Sequence, residues 1–165
     1  MIELVPVLEA VDEPLWWALR GDLRLAGMQC PRDDFPFKEL GERYGIDTVV
    51  SLLGDVSYDC SPLRLEAFTL QDLYGGAVPS DPDAELERVI AAAQAVRRLL
   101  DEGHGVVVHC AGGTGRTGTV IGAALVSLGL SVHEVAAWLN SVHQRRGRLG
   151  WPESGWQSSV LSCIA

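Results

Sequence analysis

No stretch of this chain reaches the roughly 18 consecutive apolar residues that a membrane-spanning helix needs, so no membrane span is expected. Cysteine is sparse: Cys30, Cys60, Cys110 and Cys163 form no CxxC pair and no Cys/His cluster at metal spacing. Neither a disulfide framework nor a metal centre is expected, and such usage suits a reducing, cytoplasmic setting. The opening "MIELVPVLEAVDEPLWW" lacks a cationic segment ahead of a long apolar run, which argues against a signal peptide. Internal repeats and low-complexity linkers are absent, and 165 residues suffice for one filled core, so a single domain over 1–165 is expected. Positive charge is short: 13 Lys and Arg against 22 Asp and Glu leave a formal charge of −9. At long range that charge repels nucleic acid and anionic membranes, so a phosphate-bearing ligand needs a local cationic site.

Short strand-like runs fall at residues 22–26, 46–53 and 65–70, the second apolar enough to be buried on both faces. From 81 the period becomes helical. Leu86, Val89, Ile90, Ala93, Val96 and Leu100 make one face, Asp81 precedes Pro82 as an N-cap, and Gly103 ends the helix. "GVVVH", 105–109, is a buried strand. "RTGTVIGAALVSLG" is a nearly all-apolar helix, starting at Arg116 or Thr117 and stopping at Gly129. Ser131 and Glu134 form a capping box for a third helix, and 152–164 supply a short closing one. Strands mixed with covering helices predict an α/β (α+β in some schemes) architecture, a central mixed and mostly parallel sheet flanked by helices.

"VVVHCAGGTGRTG", 106–118, sets a cysteine at the end of a buried strand, then small residues, then an arginine at a helix start. This arrangement turns the backbone N–H groups of 111–116 into one concavity at the positive end of a helix dipole, where a dianion binds. Ala111, Gly112, Gly113, Thr114 and Gly115 are small enough for the amides to approach a phosphate closely, and Arg116 adds a planar fork for two oxygens. The same amides and guanidinium favour thiolate over thiol at Cys110. A thiolate beside a bound phosphoryl group is a nucleophile, so the pattern points to covalent phosphoryl transfer through sulfur.

"HCAGGTGRT" resembles the signature of the cysteine-based protein tyrosine phosphatases: His-Cys, five residues, Arg, then Ser or Thr. The resemblance is to the compact dual-specificity branch. The order of segments over 22–162 ("LRLAGM", "FTLQDLYGG", the signature, the helices after it) is similar to that of kinase-associated phosphatases. It implies Cys110 as nucleophile, Arg116 as phosphate clamp, Thr117 as the hydroxyl that steadies the departing thiolate, and His109 as a support of the loop. It also implies an aspartate that protonates the leaving oxygen and then activates water. Asp72, after "LEAFTL" and before "GG", is the candidate; Asp81 is the rival, already explained as a helix cap. Gln157 matches a water-orienting glutamine of some members, although a surface position on the closing helix is the expectation. No cofactor or metal is implied, and the expected substrate is a phosphorylated protein or peptide, chiefly phosphotyrosine, acted on by a monomer.

Other chemistries use the same letters less well. "GTGRTG", 113–118, fits GxGxxG, but Glu134 belongs to a capping box and not to the second strand of a dinucleotide unit. A Walker A loop needs Gly at 110 and Lys at 116, where Cys and Arg stand. A catalytically weak phosphate-binding module on the same fold, or a thiol-based sulfurtransferase or arsenate reductase, are the alternatives. Cys30, Cys60 and Cys163 are expected to be structural, most tryptophans to be packing residues with Trp16 and Trp17 ahead of the first strand, and "QRRGR", 144–148, to be a solvated helix end.

Overall fold

In the computed structural model, which describes residues 2–164, six strands form one sheet in the order β1-β2-β3-β6-β4-β5. β1 (Val11–Asp12), β2 (Leu15–Arg20) and β3 (Arg24–Met28) pair antiparallel, whereas β6 (Gly105–His109) runs parallel between β3 and β4 (Thr48–Ser51), and β5 (Arg64–Ala67) adds a parallel edge. The mixed, mostly parallel sheet agrees with the expectation from sequence. β6 is buried along its whole length, and its side chains alternate between two cores: Val106 and Val108 on one face, Val107 on the other.

The first face is covered by α3 (Pro82–Asp101), α4 (Gly115–Ser127), α5 (Val132–Arg145) and α6 (Gly155–Ile164), with the short α1 (Val7–Ala10) beside α5. On the second face Phe37 and Leu40 of α2 (Phe37–Tyr44) pack with Ala26, Val49 and Val107. Asp81 caps α3 by accepting from Ala84 N at 3.2 Å, and Ser131 caps α5 by accepting from Glu134 N at 3.1 Å. α4 lies centrally because it carries almost no side-chain volume at two contacts. A methyl at Gly118 would meet the Trp151 indole at 2.6 Å, and one at Gly122 would press Leu139 and Leu161 at 3.1 Å.

Three expectations shift. Trp16 and Trp17 lie within a strand, β2, and not ahead of the first one, because five successive buried residues cannot show the alternation that marks a half-buried strand. The 22–26 strand runs instead at Arg24–Met28, and α4 opens one residue earlier than expected, at Gly115. α2, which the sequence pattern did not reveal, buries only Phe37 and Leu40, too few apolar positions to define a period.

Candidate active site

The carboxyl ends of β3, β4 and β6 converge at one edge of the sheet, and Cys110 follows β6 there, 3% exposed. In an open parallel sheet this edge is where loops gather around ligands. The loop from Cys110 to Gly115 has every carbonyl oxygen bonded away from its centre. His109 Nδ1 donates to Cys110 O (3.1 Å), Cys30 N to Ala111 O (3.0 Å), and Arg146 Nη2 to Gly112 O (3.2 Å). Gly113 O accepts from Trp16 Nε1 and Arg146 Nη1, both at 3.0 Å. Thr114 O accepts from Gly118 N (2.7 Å), and Gly115 O from Thr119 Oγ1 (2.7 Å) and Trp151 Nε1 (3.3 Å). The N–H groups of Ala111 to Thr114 donate to no protein acceptor among the described residues. Oxygens held out and amides left free make an anion-binding nest at the N-terminus of α4.

Gly113 is indispensable to that turn. Its φ is +73°, and a methyl there would lie 2.5 Å from the Met28 backbone. Gly27 has the matching role on β3: it faces Trp16 in the β2–β3 register, where any side chain would collide with the indole that reaches Gly113 O.

His109 is fully buried between two hydrogen bonds. A carbonyl oxygen only accepts, so Nδ1 carries the proton toward Cys110 O, and Nε2 accepts from Tyr58 Oη at 2.6 Å. Burial pushes its pKa down, opposed by the bond to Cys110 O, which keeps the imidazole neutral at physiological pH. Thr117 Oγ1 is buried and has no hydrogen-bond partner among the described residues. An unpaired buried hydroxyl costs roughly 1–3 kcal/mol, and this one lies in the first turn of the helix that follows the nest.

Arg116 projects from the first turn of α4, 12% exposed, donating from Nη1 to Leu70 O (3.4 Å) and lying 3.8 Å from Asp72 Oδ2 through Nη2. Asp72 is itself 61% exposed at the mouth. Its loop is pinned from several sides: Gln71 N donates to buried Glu85, Ser80 N to Gln71 Oε1, and Gly76 N to Glu153 O. Asp81, by contrast, is spent on the α3 cap. The fold thus sets Asp72 beside Arg116, on the helix that follows the Cys110 loop, while Asp81 is taken up by the α3 cap.

Two residues here, Glu153 and His143, escaped the reading of the sequence, and two that it placed at the surface are drawn inward. Arg146, expected in a solvated helix end, instead reaches Gly112 O, Gly113 O, Thr114 Oγ1 and His143 Nδ1. Its place was visible at the end of α5, where as the C-cap residue it continues the stripe Val135, Leu139, Val142 at helical spacing. Gln157, expected at the surface, is 1% exposed and accepts from Glu153 N (2.9 Å). Glu153 sets its carboxylate against the Gly115 amide; burial and the charge of Asp72 push its pKa up, opposed by that amide, Arg116 and Arg148. His143 is buried against the Trp16 ring at 4.6 Å.

His143 makes the brace acid-labile. Burial, then the charges of Arg146 and Arg148, lower its pKa from 6.5 to about 3. The unfolded chain therefore binds a proton that the folded chain refuses, and the stability carried by neutral His143 is complete above pH 6.5 and drains as pH falls toward about 3. The melting temperature should fall steeply across that window, and His143→Gln should flatten the fall; an unchanged slope in the variant would assign acid lability elsewhere. Cys30 N bonds the loop at Ala111 O, and burial, then the charges of Cys110 and Asp33, raise the pKa of the Cys30 thiol, which favours its protonated form.

A thiol at the floor of an amide nest, an arginine on the following helix and a carboxylate at the mouth define the class of cysteine-dependent phosphatases. The chain belongs to the family described as the Swiss Army Knife protein DSP-PTPase phosphatase domain, whose model matches residues 18–159. It is 30% identical over 110 residues to protein tyrosine phosphatase type IVA 3 of Mus musculus, covering 66% of this chain and 60% of that protein's length. Among solved structures, Tk-PTP in its active form superposes with a TM-score of 0.64 at 26% identity, over 93% of this chain and 97% of that one. The core catalytic domain of the PP-IP phosphatase SIW14 from S. cerevisiae shares the fold, with a TM-score of 0.62 at 15% identity over 99% of this chain and 89% of that one. The expected dual-specificity-type architecture and membership of the cysteine-based phosphatase family both stand. No helix among the described residues is long and apolar enough to cross a membrane.

Proposed function

We propose that this protein is a protein tyrosine or dual-specificity phosphatase that hydrolyses phosphotyrosine in proteins or peptides, with Cys110 as its nucleophile. The observation that carries the reading is the outward bonding of every carbonyl from Cys110 to Gly115 around a buried thiol. Sulfur attacks phosphorus, forming an S–P bond as the P–O bond to tyrosine breaks. The free amides of 111–114 and the Arg116 fork hold the equatorial oxygens as charge redistributes. Asp72 gives its proton to the leaving phenolic oxygen and then takes one from the water that breaks the S–P bond. Thr117 Oγ1, buried and unpaired, donates to the departing thiolate. His109, neutral and anchored by Tyr58, holds the Cys110 carbonyl turned away from the phosphate. The charge stabilisation comes from side chains and amides of the chain itself.

Charge supports a monophosphate on a protein over a polyphosphorylated headgroup. The nest contains no lysine, and Asp72 and Glu153 stand at its mouth in a chain of net charge −9. Asp72→Asn should lower kcat for an aryl phosphate by about 10²-fold, with the deficit growing as the leaving group becomes more basic. Asp81→Asn should leave kcat within about twofold and stability nearly unchanged, because Asn Oδ1 can keep the helix cap that Asp81 makes with Ala84 N. Steady-state kinetics on aryl phosphates of graded leaving-group pKa distinguish the two. Unaltered turnover in Asp72→Asn would move the acid elsewhere.

A further inference from the structure

We propose that Arg148 is a specificity residue, which favours phosphotyrosine sites flanked by an acidic side chain. The inference rests on the phosphatase reading and concerns what surrounds the scissile phosphate. A cavity of about 600 Å³ opens beside the nest, sharing Gly112 and Thr114 with it and walled by Tyr74, Leu149 and Trp151. Tyr74 and Leu149 are 68% and 90% exposed, which places large apolar surface on two loops facing one opening. Such walls suit the flat, apolar body of a tyrosine whose phosphate sits in the nest.

Arg148 stands at the rim. Its Nη1 lies 3.9 Å from where a methyl on Gly112 would project, so the guanidinium is at the edge of the nest. Among the described residues it forms no ion pair, and its side chain's one hydrogen bond is a long one, 3.5 Å, to Gln29 Oε1. Its base is nonetheless fixed. Arg148 N donates to His143 O at 2.9 Å, Gly147 with φ +81° closes α5, and Trp151 N donates to Asn140 Oδ1 beyond it. The two arginines around Gly147 therefore divide the work: Arg146 points into the fold to hold the loop, and Arg148 is exposed, within electrostatic reach of Glu153 but in contact with no carboxylate among the described residues.

An exposed cation in contact with no carboxylate, one residue's breadth from a phosphate site, complements a single neighbouring carboxylate on a substrate. A ligand crowded with phosphates fits less well, because Asp72 and Glu153 share the rim. Arg148 acts through binding the flank, not through the reacting atoms.

The test compares phosphotyrosine peptides that differ only in carrying Glu, Ala or Lys on either side of the phosphotyrosine. The wild type should prefer Glu over Lys by about fivefold in kcat/KM, the scale of one exposed ion pair. Arg148→Ala should level the three peptides, and Arg148→Glu should reverse the order to Lys over Glu. Reversal of order is a result that mere damage to the loop does not produce. Binding of the same peptides to Cys110→Ser reads the preference without turnover, so absence of aryl phosphate hydrolysis by the wild type would count against the phosphatase reading alone. A wild type indifferent to the flank, an order unchanged in Arg148→Glu, or an Arg148-dependent preference for an inositol polyphosphate over every peptide would each overturn the proposal.

Discussion

Cys110→Ser loses aryl phosphate turnover by at least about 10⁴-fold while its melting temperature stays within a few degrees of the wild type and vanadate or phosphate still binds. The size follows from the loss of the thiol: a serine hydroxyl is far less acidic, and the adjoining imidazole is not free to deprotonate it. His109, the nearest one in sequence, spends both ring nitrogens on Cys110 O and Tyr58. Retained anion binding follows because the amides and Arg116, not the sulfur, hold the oxygens. Isothermal titration with phosphate or vanadate alongside steady-state kinetics separates the two. Residual turnover within about tenfold of the wild type would mean that water attacks phosphorus directly and that the nest only binds.

Arg146→Met lowers kcat/KM by about 10³-fold, a larger loss than its distance from the reacting atoms suggests. One guanidinium reaches Gly112 O through Nη2 and shares the two hydrogens of Nη1 among Gly113 O, Thr114 Oγ1 and His143 Nδ1, of which Gly113 O has a second donor in Trp16. Methionine fills the volume of the stem but donates nothing, and each buried acceptor left unpaired costs roughly 1–3 kcal/mol. The loop then relieves that cost by turning carbonyls toward donors elsewhere or toward solvent, which removes amides from the nest. Burial lowers the Arg146 pKa only to about 10, so the brace keeps its charge through the neutral range. Because the amides stabilise the transition state more than the bound ester, kcat should fall more than KM rises, and Arg146→Lys should recover only a fraction of the loss for want of the second N–H arm. A variant that unfolds more readily but keeps the wild-type kcat below its melting range would reduce Arg146 to a packing residue.

What the sequence made legible is what is local. The strand into Cys110, the small loop and the helix after it are contiguous, so one run of letters carries both their geometry and their chemistry. Asp81 and Ser131 announce helix starts because a cap bonds only two or three residues ahead. The rest of the site is assembled over long separations. Trp16 reaches Gly113 O across 97 residues and depends on Gly27 having no side chain, a pairing that no window of sequence contains. Glu153 and Gln157 look like ordinary polar residues before a short helix, and only the packing of α6 on α4 sets them over Gly115 and Arg116. Arg146 lay on the apolar stripe of α5, but an arginine at a helix end is read by default as solvated. The two strands before residue 24 failed for a different reason, since β2 is buried on both faces and β1 is two residues long.

The central claim, covalent catalysis through Cys110, is tested most directly by rapid acid quench of the wild type during turnover of an aryl phosphate, with mass analysis of the peptide containing Cys110. The account predicts a burst of phenol stoichiometric with enzyme and one phosphoryl group on Cys110, absent in Cys110→Ser. A phosphoryl group on His109, or turnover with no burst and no phosphorylated peptide at any quench time, would contradict it.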